Sequence, residues 1–353
     1  MTIEGSTPRE AGIDLLRSLS VVLVVMSHYG LLPEWFPLGG YHGVIVFFAV
    51  SGYCMAMTAP KKEFWSFWVA RCTRLLPALV VCALITFAVE AALSAERGQT
   101  GRDLMLTLFC IPTLDVPCEV VNAWAKSRDS GLQYLFVDGA YWSLLVEFRF
   151  YFVFSIFYFG VSRIWHQGKR FTWVAVLAAS LLAFSQPEFG QGRARDFFQY
   201  LPFFAFGLAA FQVQTGDRIA GYAGLIASML VLCSYSMVGI SSVSAPFGLE
   251  STIKYLALLS FSFWAMLWKA RHSRSTVPIK FVATISYPLY LIHQDVGLAL
   301  IDFAATFGLD PLATKLGVGL IVILIATIIH RTVEINALRI AYSFPSKASA
   351  RHA

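Results

Sequence analysis

Two residues in the first apolar stretch, Ile13–Leu31, are of types that do chemistry: Arg17 and His28. An ionisable side chain at the centre of a membrane span costs roughly 3 kcal/mol or more, so such residues are usually retained for function. On a helix their separation comes to about three turns and about 16 Å, which puts both on one face. Arg17 then sits near one membrane surface and His28 most of the way to the other. A guanidinium at the edge and an imidazole deep inside suit a long anionic substrate that reaches inward. An inter-helix hydrogen bond is the ordinary alternative for His28 taken alone.

Other strings carry the same kind of signal. Arg71 and Arg74 are three apart and share a helix face. Each offers a planar fork of donors suited to phosphate oxygens, although a pair at a membrane edge also serves as a plain topology anchor. They lie just before the apolar run Leu75–Ala95, where Pro77 fits a helix start. In Tyr141-Trp142-Ser143-Leu144-Leu145-Val146-Glu147-Phe148-Arg149, an unpaired Glu147 would be costly, so a partner is expected. Arg149 is about 200° further round and must face another neighbour, most simply as inter-helix glue. Ser51-Gly52-Tyr53 places a small Ser-Gly step in a span, which suits close helix packing or a ligand. Ser51 lacks the flanking glycines of a nucleophile elbow. Ser286-Tyr287-Pro288-Leu289-Tyr290-Leu291-Ile292-His293 adds a proline kink and a second deep imidazole, for which an inter-helix hydrogen bond is again the alternative.

The elements that must position these groups are membrane helices. The chain is 57% hydrophobic and only 14% charged, against about 25% charged in soluble domains. Apolar windows long enough for about 30 Å of hydrocarbon fall near 13–31, 41–58, 75–95, 139–161, 172–186, 199–213, 219–238, 251–268, 279–301 and 315–335. This predicts an all-α polytopic protein of about ten transmembrane helices, with 102–113 read as a loop segment. Pro33 and Pro37 interrupt any helix between His28 and His42, so the two cannot act as paired ligands on one helix. Most of the 27 Lys and Arg residues, among them Lys61, Lys62, Lys169, Arg170, Arg271 and Arg274, fall on one side if the N-terminus is cytoplasmic. That bias predicts N-in and C-in. The net charge of +6 is spread over short loops and speaks against nucleic-acid binding. No cleaved signal is expected before the first span. No Cys/His spacing fits a metal site. Cys54, Cys72, Cys82 and Cys233 read as small buried residues, and pairing of Cys110 with Cys118 is left open.

Taken together and in order, these strings resemble the acyltransferase 3 family of integral-membrane acyltransferases that modify surface glycans. The strings are the Arg-x10-His of Arg17 and His28, the Phe-Phe-x-x-Ser-Gly-Tyr ending at Tyr53, the Arg-x-x-Arg of Arg71 and Arg74, the Tyr-Trp-Ser-Leu-x-x-Glu from Tyr141 to Glu147, and the Ser-Tyr-x-Leu-Tyr-Leu-x-His ending at His293. The resemblance runs from Gly12 to about Arg339. It implies a single membrane domain over 1–353 and acyl-CoA, usually acetyl-CoA, as a cytoplasmic co-substrate, with no bound cofactor or metal. The acceptor is a hydroxyl of a surface or exported glycan, and the location a bacterial inner membrane. Arg17, Arg71 and Arg74 would hold donor phosphates. A CoA arm about as long as the Arg17–His28 separation would then leave the thioester near His28. His28 would act as general base or carry the acyl group itself, with Glu147 orienting the imidazole or stabilising its cation. Ser51, Gly52, Tyr53, Trp142, Tyr290 and His293 are pocket candidates. Many relatives carry a fused extracytoplasmic domain. None is expected here, so direct transfer and hand-over to an extracytoplasmic partner both stay open. A multispan exporter of a polysaccharide or lipid-linked precursor is the rival reading, and a non-catalytic scaffold explains Arg17, His28 and Glu147 poorly.

Overall fold

A computed structural model describes residues 11–93, 101–111, 136–161, 164, 168–185, 197–238, 248–268 and 277–343. Every regular element among them is helical, the class expected. The helices are α1 (Ala11–His28), α2 (Gly40–Thr58), α3 (Phe64–Leu93), α4 (Gly101–Cys110), α5 (Trp142–Ser155), α6 (Thr172–Ser185), α7 (Leu201–Thr215), α8 (Arg218–Val238), α9 (Leu249–Leu267), α10 (Val277–Ile292), α11 (Asp295–Ala305), α12 (Pro311–Ile329) and α13 (Ile335–Ser343). Among the described residues, six helical segments are long and apolar enough to cross a membrane: Ala11–His28, Gly40–Lys61, Phe64–Leu93, Gly139–Gly160, Arg218–Met237 and Pro311–Arg339. Shorter apolar helices occupy Thr172–Leu182, Leu201–Thr215 and Val277–Ile292. The chain is a polytopic helical membrane protein.

Three local expectations are corrected. Segment 102–113 is not a loop throughout, because α4 forms over Gly101–Cys110. Pro77 does not open its helix. Buried Phe67, Arg71, Leu75, Ala78, Leu79 and Cys82 keep one helical stripe on both sides of it, so α3 starts at Phe64 and carries Pro77 inside. The window 279–301 is not one helix. It divides into α10 and α11 at His293 and Gln294, because the Asp295 N–H that would extend the ladder is taken by Asp138 Oδ2 at 3.2 Å. The expected separation of His28 from His42 is found: α1 ends at His28 and α2 begins at Gly40.

The described helices fall into two compact units. Met1–Ser27, Leu32–Lys62 and Arg149–Thr284 form the first. Its centre is α7, buried on nearly every side, which explains a sequence apolar all round. α2 packs on it through two glycines: a Cβ at Gly52 would meet the Phe204 carbonyl oxygen at 2.1 Å, and one at Gly207 the Ala49 oxygen at 1.9 Å. Phe48, Phe150 and Phe204 stack beside this crossing.

His28–Leu31, Glu63–Phe148 and Ile285–Ala353 form the second unit. Here α3 packs against α4, α11, α13 and the π-helical turn His330–Glu334. In that turn His330 Nδ1 lies 2.5 Å from Glu334 Oε2.

Candidate active site

The second unit collects the polar groups into one hydrogen-bonded network. α1 delivers His28 at its last turn, and Gly30, at φ 59°, turns the chain away. The neighbouring Tyr29 is buried and donates from its hydroxyl to the His293 carbonyl at 2.9 Å. Gly297 on α11 makes room for it, since a Cβ there would meet the Tyr29 hydroxyl oxygen at 2.0 Å.

His293 occupies the break between α10 and α11 and is wholly buried. Its Nδ1 lies 2.8 Å from the Tyr290 carbonyl oxygen and its Nε2 3.1 Å from His28 Nδ1. The two imidazoles are 5.0 Å apart, tilted by 59°. His28 itself is exposed. The Tyr290 hydroxyl lies 2.7 Å from Ser143 Oγ and donates to the Ala140 carbonyl at 3.1 Å. Three strings far apart in sequence thus meet: His28, the Tyr-Trp-Ser string and the Tyr-Leu-Ile-His string. Trp142 is half-buried at the first position of α5. Glu147, also half-buried, stands one turn beyond Ser143 on the same face of α5.

A pair of carboxylates locks the network. Asp138, wholly buried, accepts from Ala140 N–H at 2.8 Å through Oδ1 and from Asp295 N–H at 3.2 Å through Oδ2. Asp295 returns the contact by accepting from Gly139 N–H at 3.0 Å. One carboxylate therefore caps two helix starts at once, each of which presents N–H groups with no partner in its own helix.

Sequence reasoning missed Asp138, Asp295, Tyr29 and Ser143 as site members. Asp295 and the buried Glu90 of α3 lie inside apolar runs. The rule that singled out His28 and Glu147, a costly ionisable group in a span, applies equally to them.

The remaining site candidates are distributed as follows. Arg71 and Arg74 lie on α3 in the second unit, Arg71 buried with its guanidinium 5.7 Å from the Phe67 ring centre, Arg74 half-buried. Arg17 is half-buried on α1 in the first unit. Ser51 Oγ lies 3.5 Å from the Tyr151 hydroxyl, Gly52 sits at the helix crossing described above, and Tyr53 is fully buried against Phe211. Arg149 lies over Phe197 at 5.8 Å, also in the first unit. Among the described residues no group of three His, Cys, Asp or Glu could hold a metal ion. Cys118 and the Cys110 side chain lie outside the described residues.

Comparison with known proteins matches residues 10–331 to the acyltransferase domain of the acyltransferase 3 family. The chain belongs to that family. It is similar to an O-acetyl transferase of Shigella phage Sf6, 24% identical over 274 residues covering 70% of this chain and 74% of the phage protein. It is also similar to the O-acetyltransferase OatA of Staphylococcus aureus (strain NCTC 8325), 27% identical over 154 residues covering 41% of this chain. The match spans only 24% of the staphylococcal protein. No solved structure matches this chain.

Proposed function

We propose that the protein is a membrane O-acyltransferase that moves an acyl group, most simply acetyl, from cytoplasmic acyl-CoA to a hydroxyl of a surface or exported glycan. The observation that carries this reading is the convergence of His28 with His293, Tyr290 and Ser143, in a chain whose relatives are named O-acetyltransferases. In the reaction His28 takes the proton of the acceptor hydroxyl while that oxygen bonds to the thioester carbonyl carbon. Collapse of the adduct breaks the C–S bond, and the CoA sulfur leaves with the proton held on His28. Arg71 and Arg74 bind the donor's phosphates, the two α3 guanidiniums offering adjacent planar forks. Glu147, one turn from Ser143, favours the cationic state through which the site passes. Ten spans with both termini in the cytoplasm, in a bacterial inner membrane, complete the proposal.

The test is acetyl transfer by the full-length chain in proteoliposomes, with thioester cleavage followed by release of CoA thiol. His28→Ala should lower the rate by about 10²–10⁴-fold with expression intact, the usual worth of general-base assistance. Labelled acetyl trapped on the wild-type chain without acceptor would assign His28 the covalent role instead. Thioester cleavage at wild-type rate in a well-expressed His28→Ala protein would refute both versions. No cleavage by the wild type, together with glycan movement across the bilayer, would return the chain to the exporter reading.

A further inference from the structure

Resting on that reading, we propose that His293 is a positioning residue that fixes the tautomer of His28, so that the base is the Nε2 atom. Two contacts carry it: His293 Nδ1 to the Tyr290 carbonyl oxygen at 2.8 Å, and His293 Nε2 to His28 Nδ1 at 3.1 Å. A carbonyl oxygen only accepts, so the first contact is a hydrogen bond only if His293 Nδ1 carries a proton. A neutral imidazole has one N–H, which leaves His293 Nε2 with a lone pair. That lone pair faces His28 Nδ1 and requires a proton there. Neutral His28 is then the Nδ1–H tautomer, and its lone pair is on Nε2.

The other assignments are worse. With the His293 proton on Nε2, two lone pairs would oppose each other at the Tyr290 carbonyl. A doubly protonated His293 would place a full charge on a side chain with no exposed surface and would leave His28 protonated at Nε2, unable to act as base there. The His293 ring is also held in place by its surroundings. Its carbonyl accepts from Tyr29, and the turn that bears it is fastened through Asp295 N–H to Asp138.

His293 takes the place that a carboxylate holds in hydrolytic triads, accepting Nδ1–H and setting the tautomer. When His28 receives the acceptor's proton at Nε2, its Nδ1–H remains bonded to His293 Nε2. The neutral acceptor does this without adding a net negative charge to a membrane interior.

Two substitutions separate this role from a merely structural one. In His293→Asn the amide nitrogen replaces Nδ1 and keeps the Tyr290 contact, but the shorter side chain offers no acceptor at the position of Nε2. In His293→Gln the amide oxygen reaches the position of Nε2 and can accept. Acetyl transfer by the purified full-length protein in proteoliposomes should show kcat down about 10²–10⁴-fold for Asn, with KM for acetyl-CoA unchanged. Gln should stay within about tenfold of wild type, since it retains the acceptor. The reverse order, or two variants of wild-type kcat, would overturn the proposal. If both variants lose activity or fold poorly, nitrogen NMR of ¹⁵N-histidine-labelled wild-type protein, with His28→Ala as assignment control, decides it. Nδ1–H on neutral His28 is the expected result and Nε2–H the refuting one. That measurement does not depend on turnover, so the assignment can fail while His28 remains the base. Conversely, an active His28→Ala protein would remove the base while leaving the tautomer result standing.

Discussion

Asp138→Asn is the most informative substitution outside the histidine pair. Both Asp138 oxygens accept buried backbone N–H groups, from Ala140 at 2.8 Å and from Asp295 at 3.2 Å. An amide has one acceptor, so in Asn one of those N–H groups faces an NH2. Leaving one buried donor unsatisfied costs about 1–3 kcal/mol, and Asp138→Ala, which orphans both, about 2–6 kcal/mol. Asp295→Asn is the control. The Asp295 contact to Gly139 N–H at 3.0 Å uses one oxygen and is only partly buried, so an amide oxygen can keep it, at about 1 kcal/mol or less. Thermal unfolding in detergent, read by fluorescence and by retained folded protein, should rank wild type and Asp295→Asn above Asp138→Asn, and Asp138→Ala lowest. Asp138→Asn should also lower kcat more than it raises KM for acyl-CoA, because the tether it loses holds the turn of His293. An Asp138→Asn protein as stable as wild type, or less stability in Asp295→Asn than in Asp138→Asn, would refute the double-cap argument.

Other outcomes follow from the same geometry. Arg71→Ala or Arg74→Ala should raise KM for acyl-CoA by the loss of a charged hydrogen bond worth about 1.5–3 kcal/mol, with Lys restoring only part of it; unchanged KM in both would leave the pair as topology anchors. Gly297→Ala should cut acetyl transfer, because its methyl group would sit 2.0 Å from the Tyr29 hydroxyl and dislodge it from the His293 carbonyl; Tyr29→Phe, which removes the hydroxyl, should partly relieve the clash. Cysteine labelling at Gln99 and Lys62 should occur from opposite sides of the membrane, as the basic-residue bias requires; labelling of both from one side would end the N-in, C-in proposal.

Much of the site was legible because its parts are local. The Arg17–His28 spacing needs only helix geometry, and α1 does carry both residues and end at His28. Pro33 and Pro37 announced the break before α2. The Tyr-Trp-Ser and Tyr-Leu-Ile-His strings stand out in the sequence as separate signals, and Ser143 and Tyr290 meet at 2.7 Å. The contact of His28 with His293 was not legible, since the two are 265 positions apart and hydropathy carries no information on which imidazole meets which. Glu147 is the group the sequence itself offers for orienting the imidazole or stabilising its cation, because it is a carboxylate, by analogy with triads. The α10–α11 break was hidden for a related reason. Its apolar pattern continues through His293, and what stops the helix is a carboxylate from a distant segment taking a backbone N–H.

That break and the chemistry are one arrangement. In hydrocarbon a backbone can leave the helix only where protein groups satisfy the freed N–H and C=O. The turn at His293 meets this requirement with three side chains: Asp138 on Asp295 N–H, Tyr29 on the His293 carbonyl, and the His293 ring on the Tyr290 carbonyl. The last of these bonds also fixes which ring nitrogen carries the proton. The group that repairs the helix end is therefore the group that sets the lone pair on His28. A substitution that heals the helix without an Nε2-like acceptor should yield a stable protein with a misprotonated base. Stability and acyl transfer should accordingly separate at His293, while at Asp138, which touches only backbone in this network, they should fall together.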